Sequence, residues 1–293
     1  MAGSGRNSVI NAMSVDVEEY FHASALETVA PRAQWETLPT RVGPTTRALL
    51  ELFASRQVRA TFFILGWVAD RDPGLVRDIA AAGHEVASHG YWHEIVYSLS
   101  PAQFREDVRR SKQVLEQLVG TPVSGYRAPS FSITRKSLWA LDVLLEEGYT
   151  YDASVFPVRH DRYGIPDAPR HTYRLDRGDR SITEVPPSTV RVGGQNLAVA
   201  GGGYFRLLPY MWTRTGIARL NRRERRPAIF YLHPWEIDTA QPRLPVGLTT
   251  RLRHYGNLGR THGRLARLLD EFRFAPIADV VADLGPLPHH TLA

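Results

Sequence analysis

The chain has 293 residues, no cysteine and a formal net charge of +6. Disulfides and thiolate metal sites are excluded, so a bound metal needs nitrogen and oxygen ligands. No run approaches about 18 consecutive apolar residues, which leaves no transmembrane segment legible, and the scattered arginines point to acidic glycans or phosphates before nucleic acid.

The opening stretch, MAGSGRNSVINAMSVD, lacks the continuous apolar segment of a signal peptide, which with the missing cysteines predicts a cytoplasmic protein. Residues 9–16 (VINAMSVD) are a short apolar run ending in an acid. Residues 43–55 read as a helix with Pro44 near its start, and 58–65 (VRATFFIL) as a strand. A helix over 73–82 is closed by Gly83, and HEVASH is a strand ending at His89. The strongest helical pattern covers 101–118, begun by Ser100-Pro101. VSGYR is a strand, TRKSLWALDVLLEEG a helix between Thr134 as N-cap and Gly148 as stop, and YTYDAS a strand. Residues 157–209, rich in Gly, Pro and Arg, read as an insertion or antiparallel flap rather than a separate domain. Arg222, Arg223, Arg225 and Arg226 precede a last strand, 227–236, that ends near His233, and 249–271 read as one long basic helix in a segment reaching about residue 284. Strand–helix alternation predicts parallel βαβ units, a doubly wound sheet or a barrel, in one domain over 1–293.

Reactive residues recur where these strands end: Asp16 and Glu18, His89 and His93, Arg127, Asp152, His233. Strand C-termini share one rim in parallel α/β folds, so the recurrence predicts one site. Two histidines four apart and one carboxylate form a known catalytic zinc set. Asp16 and Glu18, two apart in extended chain, share a face, so one can bind metal while the other stays free as a base. Kept close, two acids need a cation nearby, and a metal and Arg127 are the candidates.

The ordered series "SVDVEEYF", "ATFFILGWVAD", "GHEVASHGYWH", "GYRAPSFSIT", "YDASVFP" and "FYLHPWEID" resembles the motifs of the NodB-like polysaccharide deacetylases, carbohydrate esterase family 4, over about residues 8–240. "DVEEYFH", "GGGYFRLLPY" and "LHPWEID" look most like the subgroup associated with exopolysaccharide and exosortase gene clusters. The resemblance implies a distorted (β/α) barrel with fewer than eight strands. It implies a divalent metal, zinc foremost, and hydrolysis of N-acetyl groups from amino sugars of a polysaccharide or its precursor. Asp16 matches the catalytic base, His89 and His93 the metal histidines, Arg127 the arginine that steers the base, and His233 the general acid. The family's usual first motif has two adjacent aspartates, the second a metal ligand. Here Val17 takes that place and Glu18 is the nearest candidate. Ser130 replaces a common tyrosine at a position whose backbone N–H would meet the oxyanion, and Asp152 is expected to orient His233 or Arg127.

Trp92, Phe131 and Trp235 are expected to stack on sugar rings, and Arg206 to touch an anionic part of the substrate. The expected partners are an N-acetylated glycan and a polysaccharide biosynthesis or export system at the inner membrane face, with no nucleic acid. Two rival readings keep the fold: a hydrolase of cyclic amides or ureides, and an inactive glycan-binding barrel. The intact set Asp16, Arg127 and His233 argues against the second.

Overall fold

The first strand, β1 (Asn11–Val17), is buried at every position, because it is paired on both edges. The computed structural model describes residues 9–292. Along one edge follow β2 (Thr61–Ile64), β3 (Glu85–Ser88), β4 (Gly125–Tyr126) and β5 (Tyr151–Asp152), all parallel. Next, β6 (Tyr173–Arg177) and β7 (Arg180–Glu184) form a hairpin whose second strand pairs β5 in parallel. A separate two-stranded sheet consists of β8 (Thr189–Val192) and β9 (Gln195–Ala198). On the other side of β1 lies β10 (Ile229–Leu232), while β11 (Phe274–Ala275) pairs its first residues and β12 (His289–His290) pairs β6. The main sheet is a mixed α/β sheet in the order β10-β1-β2-β3-β4-β5-β7-β6-β12. Seven strands, β10 to β7 along this path, run parallel. Its ends, β10 and β12, are not paired to each other, so among the described residues the sheet is open rather than a closed barrel.

Register puts the strand ends in one row. Val17 aligns with Ile64, Ile64 with Ser88, Ser88 with Tyr126, Tyr126 with Asp152, and on the far side Val15 aligns with Leu232. The residues that follow, Glu18, His89, Arg127 and His233, therefore emerge along one rim.

The helices are α1 (Val42–Ala54), α2 (Gly66–Arg71), α3 (Pro73–Ala81), α4 (Pro101–Val119), α5 (Trp139–Glu146), α6 (Gly202–Leu207), α7 (Tyr210–Arg219), α8 (Leu248–Tyr255), α9 (Leu258–Glu271) and α10 (Ile277–Ala282). The bounds of α4 follow from its sequence: Ser100 and Gln103 form a capping box, Pro101 opens the helix, and Gly120 closes it at φ 71°. Two expectations change. Thr134 caps only a 3-10 turn, Arg135–Ser137, and α5 begins at Trp139. The predicted helix over 249–271 is two helices, because Asn257 turns left-handed at φ 59° and a Cβ on Gly256 would lie 2.4 Å from the Leu252 carbonyl.

Alternate residues of β2 face opposite sides. Phe62 and Ile64 join the large core with Leu49 and Phe53 of α1, Ile79 of α3, Phe104 and Val108 of α4 and Leu144 of α5. Phe63 faces the other way, into a smaller cluster with Ala12, Ala87, Tyr151 and the α10 residues Ile277 and Val280. The Arg127 guanidinium lies 4.1 Å from the Phe63 ring centroid, so the candidate site sits on this second side.

Candidate active site

The pleat of β1 divides the acids of its end. Asp16 and Glu18 turn into a cavity of about 240 Å³, whereas Glu19 turns away and accepts the backbone N–H groups of Arg41 and Val42 at the start of α1. Burial raises the Glu19 carboxyl to about 7 despite those bonds.

Asp16 Oδ1 accepts from Arg127 Nη1 at 2.6 Å, and the same nitrogen donates to Ser14 Oγ at 2.9 Å. Arg127 is wholly buried and its Nε also donates to the Ala153 carbonyl. The second Asp16 oxygen lies 3.9 Å from His233 Nε2.

Glu18 stands among three histidines and one indole. Its Oε2 is 2.6 Å from His93 Nε2 and 3.8 Å from His89 Nε2, and its Oε1 is 3.8 Å from His233 Nε2. Trp235 Nε1–H donates to Oε1 at 3.0 Å. Burial would push this carboxyl up, but His93, His233 and His89 outweigh it and hold Glu18 well below the usual carboxylate range. One ligand atom each from Glu18, His89 and His93 lie within 4.8 Å of one another. His89 Nδ1 pairs with the Arg127 carbonyl at 2.8 Å, which leaves Nε2 as the lone-pair nitrogen. Burial lowers His89 to about 4 against the pull of Asp16 and Glu18, so it stays neutral as a ligand must. One carboxylate oxygen and two imidazole nitrogens, gathered this closely in a buried pocket, are a donor set that fits a divalent cation of the zinc type.

The loop carrying the histidines is fixed from outside. Asp107 of α4 accepts from the backbone N–H of Tyr91 at 2.9 Å and of Trp92 at 3.0 Å. Gly90 sits at φ 76°, where a Cβ would come within 2.6 Å of Asp107 Oδ2. His93 follows at φ 56°, an uncommon conformation for a non-glycine residue.

His233 Nδ1 pairs with Glu236 Oε2 at 3.0 Å inside a 3-10 turn, Pro234–Ile237. Burial opposes its protonation, yet Glu18, Glu236 and Asp16 raise it to about 9. Behind it, Glu236 Oε1 meets Arg206 Nε at 3.1 Å, and Arg206 donates its other nitrogens to the carbonyls of Gly256 and Arg253, each at 2.6 Å.

Four expectations are corrected here. Asp152 bonds neither His233 nor Arg127; it accepts from Ser154 Oγ at 2.5 Å and pairs with Glu184, and burial raises it to about 6. Glu236 takes the place beside His233 instead. Arg206 is 2% exposed and its donors are engaged within the protein, which removes it as an anion contact. Trp92 does not line the cavity: it packs on Tyr91, with the Arg32 guanidinium 5.0 Å from its ring. Trp235 lines the cavity, but its ring stacks with His233 and His254 rather than standing free for a sugar. Ser130 and Phe131 do reach the cavity, both left-handed at φ 53°, with Ser130 Oγ 2.6 Å from Ser24 Oγ.

Sequence reasoning missed Ser14, Glu236, Asp107 and Tyr231. Ser14 had a signal, standing two before Asp16 on the same strand face. Tyr231 packs on Phe131 at 4.9 Å in the cavity wall. A larger cleft of about 790 Å³ lies elsewhere, where Arg135 pairs with Asp167 and Arg170 with Glu224, and Arg191 also lines it.

Residues 36–151 match the family model described as polysaccharide deacetylase, and residues 153–282 match one described as a domain of unknown function (DUF3473). The first match makes residues 36–151 similar to a polysaccharide deacetylase domain. His89, His93 and Arg127 fall within the first match and His233 within the second, while Asp16 and Glu18 precede both. A peptidoglycan-N-acetylglucosamine deacetylase of Bacillus cereus is 30% identical over 98 residues, which is 33% of this chain and 36% of that protein. A peptidoglycan deacetylase of Helicobacter pylori is 31% identical over 107 residues, 36% of either chain. The chain thus spans little more than a third of the length of these relatives. In fold it is similar to a candidate polysaccharide deacetylase from Mycobacterium smegmatis, with a TM-score of 0.64 at 22% identity over 100% of this chain and 97% of that one. The PuuE allantoinase shares the fold at a TM-score of 0.62 and 15% identity, over 95% and 91% of the two chains.

Proposed function

We propose that the protein is a metal-dependent hydrolase that removes N-acetyl groups from amino sugars of a polysaccharide or its precursor and releases acetate. One observation carries this reading: the ligand atoms of Glu18, His89 and His93 lie within 4.8 Å of one another in a cavity also lined by Asp16 and His233. A divalent cation held by Glu18, His89 and His93, with zinc the best fit, would supply the Lewis acidity that polarises an amide carbonyl and acidifies water.

The chain's own residues do the rest. Asp16 accepts the proton of the attacking water. Arg127 holds one Asp16 oxygen at 2.6 Å and so sets the direction of the other. The left-handed turn at Ser130 offers its backbone N–H to the developing oxyanion; one such donor contributes about 3 kcal/mol. His233, protonated at neutral pH, delivers a proton to the departing amine, and Glu236 keeps its ring oriented. Phe131 and Tyr231 supply the apolar wall for the sugar.

The motif likeness supports the exopolysaccharide subgroup, with the protein working in the cytoplasm beside a polysaccharide biosynthesis or export system. The test is metal content together with acetate release. Purified protein is expected to hold about one zinc per chain and to release acetate from N-acetylated glycan oligomers. A protein that takes up no metal, or that hydrolyses a cyclic ureide and no glycan, would overturn the reading.

A further inference from the structure

We propose that the face built by α6, α7 and α8 docks on an anionic membrane surface beside the mouth of the cavity. Seven large apolar side chains are exposed among the described residues, and five of them, Leu207, Leu208, Met211, Leu248 and Leu252, are carried by α6, α7, α8 and the turn after α6. Leu248 and Leu252 are 72% and 61% exposed and one turn apart on α8, so they share a side of the helix, while His254 and Tyr255 point inward. A Cβ on Gly256 would lie 3.1 Å from Leu207, which shows how closely α6 approaches the end of α8. Arg206 straps the two together through the carbonyls of Arg253 and Gly256.

Charge says what covers this face. Residues 239–269 contain six arginines and no Asp or Glu. Arg243, Arg251, Arg253 and Arg260 are exposed, and none of them has a carboxylate partner among the described residues. Protruding leucines beside exposed arginines that lack a carboxylate partner suit a bilayer interface, where the leucines enter the acyl boundary and the guanidinium groups meet phosphates. A soluble polyanion would use the arginines and leave the leucines in water. A second copy of the chain would set the same arginines against each other in a two-fold contact. Arg253, on the same helix, lines the cavity, so its mouth opens next to the docked surface. The proposal stands on this surface alone and does not depend on the chemistry assigned to the cavity.

The test is co-sedimentation of the whole protein with vesicles of phosphatidylcholine, with and without one-third phosphatidylglycerol. The wild type is expected to bind the anionic vesicles at about 0.1 M salt and to weaken several-fold at about 0.5 M. Leu248→Ser with Leu252→Ser, and separately Arg251→Glu, are expected to weaken binding roughly tenfold without moving the melting temperature. Three outcomes overturn the proposal: no binding to anionic vesicles at low salt, equal binding by the leucine double variant, or self-association of the wild type that the same substitutions abolish. Binding to a soluble acidic polysaccharide but not to vesicles overturns it as well.

Discussion

Two pairs of buried carboxylates lie at strand ends of the main sheet, one at β1 and one at β5 and β7, and they are treated in opposite ways. Asp16 and Glu18 face nitrogen groups: a guanidinium 2.6 Å from Asp16, and imidazoles 2.6 and 3.8 Å from Glu18. Asp152 and Glu184 are equally buried but face each other, and burial raises both, Asp152 to about 6. Glu18 goes the other way, because its histidine neighbours outweigh the same desolvation. Burial alone thus assigns no role to an acid; the nearest charge does. In the proposed reaction the first pair binds a cation and takes up a proton, whereas burial favours the neutral form of the second pair, inside the fold.

The largest effect should come from removing a ligand of the first pair. Glu18→Ala is expected to reduce bound metal from about one per chain to near zero and acetate release to background, read by elemental analysis beside the activity assay. Asp16→Asn should keep the metal and lower kcat by about 10²- to 10⁴-fold. If both substitutions left the metal and most of the rate, the contrast between the pairs would be meaningless for function.

Smaller effects sharpen it. Glu236→Gln removes one negative neighbour of His233, so its protonated form should be lost at lower pH. The basic limb of kcat/KM is then expected to move acidward, with a rate loss of roughly 10- to 100-fold. Asp152→Asn tests the second pair. The wild-type carboxyl titrates higher folded than unfolded, so its contribution is present below about pH 4 and is lost as pH rises through about 6. The variant should therefore gain on the wild type as pH rises from about 4 to about 6, by up to about 3 kcal/mol in denaturant melts and no further above that, with little change in activity.

Much of this site was legible because β-branched runs mark strands, and a polar residue following each run marks the rim. Asp16, Glu18, His89, Arg127 and His233 all follow that rule, and the register of the sheet brings them together. Residues acting across elements were not legible. Asp107 reads as an ordinary acid on a helix, and only the packed loop reveals that it holds the Tyr91 and Trp92 amides. Arg206 was misread as a substrate contact because its partners lie 30 to 50 residues further on. Asp152 obeyed the strand-end rule and still failed, since a rim position says nothing about which neighbour a side chain finds. The break between α8 and α9 did have a signal in Gly256-Asn257, outweighed by the apolar periodicity on either side.

The strap made by Arg206 limits how this protein can be remodelled. Grafting loops from relatives is an ordinary way to change what an enzyme accepts, and α8 looks like a separable module at the rim. The carbonyl of its Arg253 and that of Gly256 just after it nonetheless accept from a guanidinium that is only 2% exposed. A graft lacking them would leave a buried cation short of acceptors, a cost of several kcal/mol. The damage would pass through Glu236 to His233, so a chimera could fold, keep its metal and still lose its acid.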